Sequence, residues 1–367
     1  MAPAMRQAFV DVGLPVLAVF ASLLLFGIVV SFGGVNPLEL WFLLFRGAFG
    51  DWFSWQNTLQ RAAPLMLTAL CVALPARAGL VVIGGEGALV LGGLACAALP
   101  LALPLPGGVV GLALVCGVGA MAGGLWIALV GALREYRGIN ETISSLLLAY
   151  VAIGLFKHWV EGPLRDPTSL NKPSTPALAE SLRIGGIAGS DVHWGLVFGV
   201  VACLLFSVAL RSTVWGFSTR VVGGNTKAAQ LVGLAASRLV LLACALGGAC
   251  AGLAGAIEVA AVHTSANASL IVGYGYAGIL VSFIARHNPV AVIPVAILLG
   301  GFGAAGSLLQ RRLGLPDASV LLLQGIAFVL ILASEALRDA DWRAIWRRIL
   351  QPSGPRPSST PLGDRTV

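Results

Sequence analysis

The chain has 367 residues, 57% of them hydrophobic and only 11% charged, with a mean hydropathy of +0.91. Soluble domains carry roughly 25% charged residues, and a soluble fold of this length cannot hide so much apolar surface from water. Lipid is the solvent that accepts it. The net charge of +7 would point to nucleic acid in a soluble protein, but here the basic residues sit in short loops and the tail, as topology signals against anionic lipid. No nucleic-acid partner is expected.

In chain order, Arg6 precedes an apolar run at 13–32. The run is long for a signal peptide and no clear small-residue cleavage site follows it, so it is read as a retained first span. Further runs follow at 58–76, 80–100, 108–132, 142–159, 193–211, 239–262, 274–285, 289–307 and 318–337. A span needs about 20 predominantly apolar residues, and the fold class expected is an all-α polytopic membrane protein with about ten transmembrane helices. The eighth run is short and His287-Asn288-Pro289 separates it from the ninth, so 274–307 reads as two spans or as one broken helix.

With the N-terminus in the cytoplasm and ten alternating spans, 15 of the 23 Lys and Arg fall inside, together with both chain ends; Arg311 and Arg312 fall outside, against the bias. Residues 1–337 form one membrane domain. Within it, 160–192 make an outside loop and 212–237 the longest internal loop. Residues 338–367 make a cytoplasmic tail whose Pro- and Ser-rich end is expected to be disordered. Cys71, Cys96, Cys116, Cys203, Cys244 and Cys250 all lie in apolar stretches without a CxxC pair, and they read as small hydrophobes. The four His are scattered without metal-ligand spacing. No phosphate loop, H-E-x-x-H or G-x-S-x-G is present, so no ATP site, metal or catalytic residue is expected in this chain.

Ionisable groups at membrane depth are costly and mark functional hypotheses. Glu86, in GLVVIGGEGALVLGG (79–93), is the sharpest. The glycines around it suit a bent or broken helix that faces a polar cavity. Lining a substrate path, and being neutralised by protonation or by pairing with a neighbouring helix, are equally good readings of it. Asn140 and Glu141 fit a helix cap and first turn, with Ser144 and Ser145 on a polar flank. Tyr274, Ser282 and Phe283 complete the candidate pathway contacts. LGGACAGLAGA (246–256) and GGFGAAG (300–306) read as helix-contact faces.

Five segments in order resemble the permease subunits of ABC importers of the ribose and nucleoside type. GLVVIGGEGA (79–88), GINETISSLLLAY (138–150), GFSTRVVGGNTKAAQLVGL (216–234), ALGGACAGLAGA (245–256) and GYGYAGILVSFIARHNP (273–289) carry the resemblance, which covers most of 60–335. EGPLRDPTSLNKPSTPAL (161–178) resembles the outside loop of the nucleoside type, and the chain is similar to the longer permease of such systems. Where the family carries Asn, Gln and Asn, this chain has Val82, Ala88 and Ala149.

The resemblance implies a non-catalytic half-pore in the bacterial cytoplasmic membrane that carries a nucleoside or related purine-like solute, with a simple sugar as the alternative. It implies as partners a second permease subunit, different or identical, separate ATPase subunits that bind ATP and Mg, and a periplasmic or lipid-anchored binding protein. It implies an inverted repeat of spans two to five and seven to ten. The loop at 216–234 would form a coupling helix, with Asn225 as cap, Thr226, Lys227 and Ala228 in the first turn, and Gly223 and Gly233 at the turns. Two other classes compete. An ion-coupled transporter would need carboxylates deep in several spans, where Glu86 is the strong candidate, and a membrane enzyme lacks its constellation.

Overall fold

The computed structural model describes residues 3–169, 172–316 and 318–339. The expected tail lies outside these from residue 340 on. Thirteen α-helices occur among the described residues. They are α1 (Pro3–Ser31), α2 (Pro37–Phe49), α3 (Trp52–Arg77), α4 (Gly85–Ala102), α5 (Val109–Arg137), α6 (Glu141–Glu161) and α7 (Gly195–Ser212). Then follow α8 (Val214–Gly224), α9 (Thr226–Leu231), α10 (Ala236–Ile257), α11 (Tyr274–Ile284), α12 (Pro289–Leu313) and α13 (Ala318–Asp339). The only pairing of extended backbone among the described residues is two isolated bridges.

Seven helices are long and apolar enough to cross a membrane: α3, α4, α5, α6, α7, α10 with its extension to His263, and α12. Three shorter apolar helical stretches, Pro15–Ser31, Ala268–Ile284 and Ala318–Ser334, coincide with the first, eighth and tenth runs. The expectation of about ten spans therefore meets seven of full length. The segment 274–307 resolves into two helices, because residues 285–288 make a turn and Asn288 caps α12 through Val290 N at 3.2 Å.

α2 stands where the sequence showed no apolar run. Asn36 accepts from Leu38 N at 3.0 Å, Pro37 opens the helix and Glu39 sits in its first turn, which is a strong start signal. Leu40, Leu43 and Leu44 are buried beneath it.

The small-residue runs lie where helices meet. Apolar attraction between helices is weak in lipid, so close backbone approach supplies the packing. A Cβ on Gly252 would collide with Gly119 O of α5, and one on Gly255 with Leu89 O of α4. α10 is thus wedged between α4 and α5. α12 lies on α3 and α2 in the same way, with Gly300 against Thr58 O and Gly47 against Ala305.

The two ends of the bundle differ. At one, the loop end, residues 160–169 and 172–192 fold back over the bundle. Thr175 N, Leu178 N and Ile184 N donate to Ala266 O, Thr264 O and Ala260 O at 3.0, 2.7 and 2.9 Å. Leu178, Leu182 and Ile184 are buried. The loop thereby holds the last turn of α10, which widens to π geometry over Glu258–His263. At the other, the hairpin end, α8 and α9 form a helical hairpin.

Candidate functional site

Two helices begin inside the bundle. After α3 ends at Arg77, the chain runs without helix to Gly84, with Leu80 and Val82 buried, and α4 starts at Gly85. Ser145 Oγ accepts from Ile83 N at 3.0 Å and Thr142 Oγ1 donates to Val81 O at 3.0 Å, so α6 satisfies the backbone of this stretch. Backbone groups cannot stay unpaired in the membrane, and this is the work of Ser145. Ser144 donates to Glu141 O at 3.3 Å. Asn140 caps α6 through Ile143 N at 3.1 Å.

α11 is the second such helix. Its cap residue Gly273 has φ +90° and no side chain to offer. Glu86 supplies the cap from α4: its two carboxylate oxygens accept from Gly273 N at 2.9 Å and Gly275 N at 2.6 Å. The helix N-terminus leaves four N–H groups without partners and carries partial positive charge, and the first turns of α4 and α11 abut here. A Cβ on Gly275 would collide with Glu86 N. Glu86 has no exposed surface and its acceptors are directed at backbone. Of its two sequence readings, the geometry matches pairing with a neighbouring helix.

Beside this junction, towards the loop end, lies a cavity of about 370 Å³ between α3, α11, α12 and α13. Arg61, Tyr274, Ser307, Gln310 and Gln324 give it polar groups, set among apolar walls such as Leu65 and Leu299. Arg61 and Tyr274 both line this cavity, and the Glu258 carboxylate acts on both. Glu258 is buried, 3.7 Å from His263 Nε2. Arg61, Gln310 and Gln324 were not singled out from the sequence. A polar residue inside or at the edge of an apolar run was the available signal.

At the hairpin end, Asn225 closes α8 and caps α9, accepting from Ala228 N at 3.0 Å. Thr226, Lys227 and Ala228 form the first turn of α9. Gly233, at φ +82°, turns the chain towards α10. Gly223 lies on the backbone of Arg77 and Gly79, where any Cβ would strike Arg77 O. Arg77 in turn donates to His287 O from Nε and Nη2 at 3.3 and 3.0 Å. Ser282 Oγ lies 2.9 Å from His287 Nδ1, and Phe283 stacks edge-on against His287 and Phe328. Val214, Phe217, Leu231 and Val232 are exposed on the hairpin at 81, 61, 89 and 71%.

The predicted pathway residues therefore do not share one chamber. Tyr274 lines the cavity, Glu86 and Ser145 hold the junction, Ser144 serves the first turn of α6, and Ser282 and Phe283 brace the far end of α11. Val82, Ala88 and Ala149 are buried; Ala149 packs on Gly87. Those departures from the family pattern lie in packed interior, Val82 in the stretch before α4 and Ala88 and Ala149 on helices.

Apolar helices interrupted at membrane depth, with a polar cavity at one end and a helical hairpin at the other, define a multi-pass membrane permease. Residues 54–332 match the family described as branched-chain amino acid transport system / permease component, and the chain belongs to it. Among curated relatives, it is 31% identical to a glucose ABC transporter permease protein of Haloferax volcanii, over 89% of each chain. It is 26% identical to a guanosine ABC transporter permease protein of Bacillus subtilis, over 88% of this chain and 94% of the relative. A nucleoside ABC transporter permease protein of Lactococcus lactis is also 26% identical, over 77% and 80%.

Proposed function

We propose that this permease is one half of the pore of an ATP-driven importer and carries a nucleoside or related purine-like solute delivered by a binding protein. The observation that supports coupling to a separate ATPase is the α8–α9 hairpin. It exposes large apolar side chains at the start of α8 and the end of α9, which mark a protein-contact surface. Beside its turn, Gly223 rests on Arg77 and Gly79, where the chain starts back towards Glu86. A push on the hairpin therefore reaches the α4–α11 junction through packed backbone, as rigid two-state levers require. Gly223, Asn225, Thr226, Lys227, Ala228 and Gly233 are the coupling residues in this reading. ATP and Mg belong to the ATPase subunits and no cofactor to this chain.

The hairpin end is placed in the cytoplasm of a bacterial cell, with both chain ends on that side of the inner membrane. α1, α11 and α13 then complete ten spans. An inverted repeat of α3–α6 and α10–α13 is supported by matched interruptions: α3 and α10 are each followed by a stretch that departs from α-helix and then by a helix that starts within the bundle. α4 packs on α10 as α11 packs on α3. A second, different permease subunit completes the pore, with an identical copy as the alternative. Tyr274 is the pathway contact, while Glu86, Ser144, Ser145, Ser282 and Phe283 position the helices around it.

The glucose relative, at 31% identity, favours a second reading in which the solute is a simple sugar; the amides of Gln310 and Gln324 suit hydroxyls as well as base edges. Competition for uptake of radiolabelled guanosine by unlabelled nucleosides and sugars decides between them. Inhibition by nucleosides alone is the expected result, and inhibition by glucose alone would replace it with the sugar.

A further inference from the structure

Three arginines converge at the hairpin end, and among the described residues none of them is in an ion pair. Arg77 at the end of α3, Arg211 at the end of α7 and Arg220 on α8 line a cleft of about 150 Å³. Arg77 feels both of the others as its nearest like charges. The ion pairs among the described residues, Arg134–Glu141 and His263–Glu258, involve none of the three. Part of each of two guanidinium groups is held by backbone: Arg77 bonds His287 O, and Arg220 Nε donates to Gly216 O at 3.3 Å. Asn288 also lines the cleft and accepts from Val290 N, which leaves its amide nitrogen as a further donor. Three clustered cations repel one another and favour an anion with several acceptor oxygens, above all a phosphate.

The surface leading to the cleft indicates the source of that phosphate. On α7, Val201, Leu204, Leu205 and Val208 are exposed at 44, 47, 64 and 61%. Their spacing puts them on one face of the helix, and Arg211 continues that face one turn further. An apolar stripe of two helical turns thus ends on an arginine cleft at the helix end, and basic pockets at the cytoplasmic ends of membrane helices take anionic lipid headgroups. We propose that the cleft binds the phosphate of an anionic phospholipid, whose acyl chains lie along the exposed face of α7. The lipid would tie α3, α7, α8 and the 285–288 turn together at the base of the hairpin. The site does not depend on which solute is carried.

Lipid retention by the full-length chain in neutral detergent, titrated with phosphatidylglycerol or phosphatidylcholine and read by native mass spectrometry, tests this. The expected result is selective binding of one phosphatidylglycerol, weakened about 30-fold in R211Q/R220Q. The charge-matched control R137Q/R238Q should bind it like the native chain. Equal binding of phosphatidylcholine, undiminished binding by R211Q/R220Q, or an equal loss in the control would overturn the assignment. So would displacement of the lipid by millimolar inorganic phosphate, which would make this a free-anion site. Loss of a co-purified ATPase subunit from R211Q/R220Q with lipid binding intact would overturn it in favour of an acidic protein contact. Circular dichroism of each variant separates lost binding from lost fold.

Discussion

Glu86 and Gly275 lie 189 residues apart, yet the Glu86 carboxylate accepts the Gly275 N–H at 2.6 Å while its second oxygen takes Gly273 N at 2.9 Å. One side chain of α4 thus provides the cap that α11 lacks. Acceptor oxygens between two abutting helix N-termini meet the free N–H groups there, and the glycine at 275 leaves room for the approach.

Glu86→Ala leaves two buried N–H groups unpaired. Each buried donor left without a partner costs about 1–3 kcal/mol, so the variant should lose on the order of 2–6 kcal/mol. Its melting temperature in detergent should fall well below that of Glu86→Gln, which keeps one acceptor. Equal melting of Glu86→Ala and the native chain would show that the junction contributes nothing.

Tyr274→Phe removes a hydroxyl, and Gln324→Ala an amide, from side chains that line the cavity. Each should lower uptake at subsaturating solute about fivefold to tenfold, the effect of one lost polar contact. Solute affinity of the isolated binding protein should not change. Native uptake by both variants would remove the cavity from the pathway.

Asn225→Ala removes the α9 cap, worth about 1 kcal/mol, and loosens the turn between α8 and α9. ATPase activity stimulated by the loaded binding protein should drop, while the basal activity of the ATPase subunits is retained. Asn225→Ser, which can still cap, should recover most of the stimulation. Identical stimulation in all three would argue that the hairpin is an ordinary loop.

His287 lies in the turn outside the spans. Burial, and then the charge of Arg77, push its imidazole down from 6.5 to about 4. The folded chain therefore keeps this ring neutral where the unfolded chain protonates it. Stability from this group is complete above about pH 6.5 and is lost as pH falls towards 4, at up to about 1.4 kcal/mol per pH unit. Thermal unfolding between pH 7.5 and 5 should show this slope, and His287→Gln should flatten it. A native chain whose melting is level across that range would contradict the assignment.

The features legible in sequence were those encoded locally. Hydropathy gave the long helices, Gly spacing marked the face of α10 that packs on α4 and α5, and Asn140 and Asn225 announced their caps because an Asn before a helix acts within three residues. The glycines around Glu86 signalled a bent or broken helix, and the helix there starts at Gly85. Its partner could not be read, because the Gly273 and Gly275 N–H groups come from far along the chain. α2 was missed because its apolar face is only one stripe of a short helix. The cavity was missed because Arg61, Gln310 and Gln324 converge only when α3, α12 and α13 pack together. Ser282 and Phe283 are placed by the His287 turn, which hydropathy does not report.

Solute uptake into proteoliposomes tests the central claim most directly. The chain is reconstituted with a second permease, ATPase subunits and the binding protein, with ATP enclosed on the ATPase side. Uptake that requires ATP and the binding protein, and that disappears when α8–α9 is replaced by a flexible linker, is the expected result. Accumulation by this chain alone, driven by a proton or sodium gradient without ATP, would contradict it.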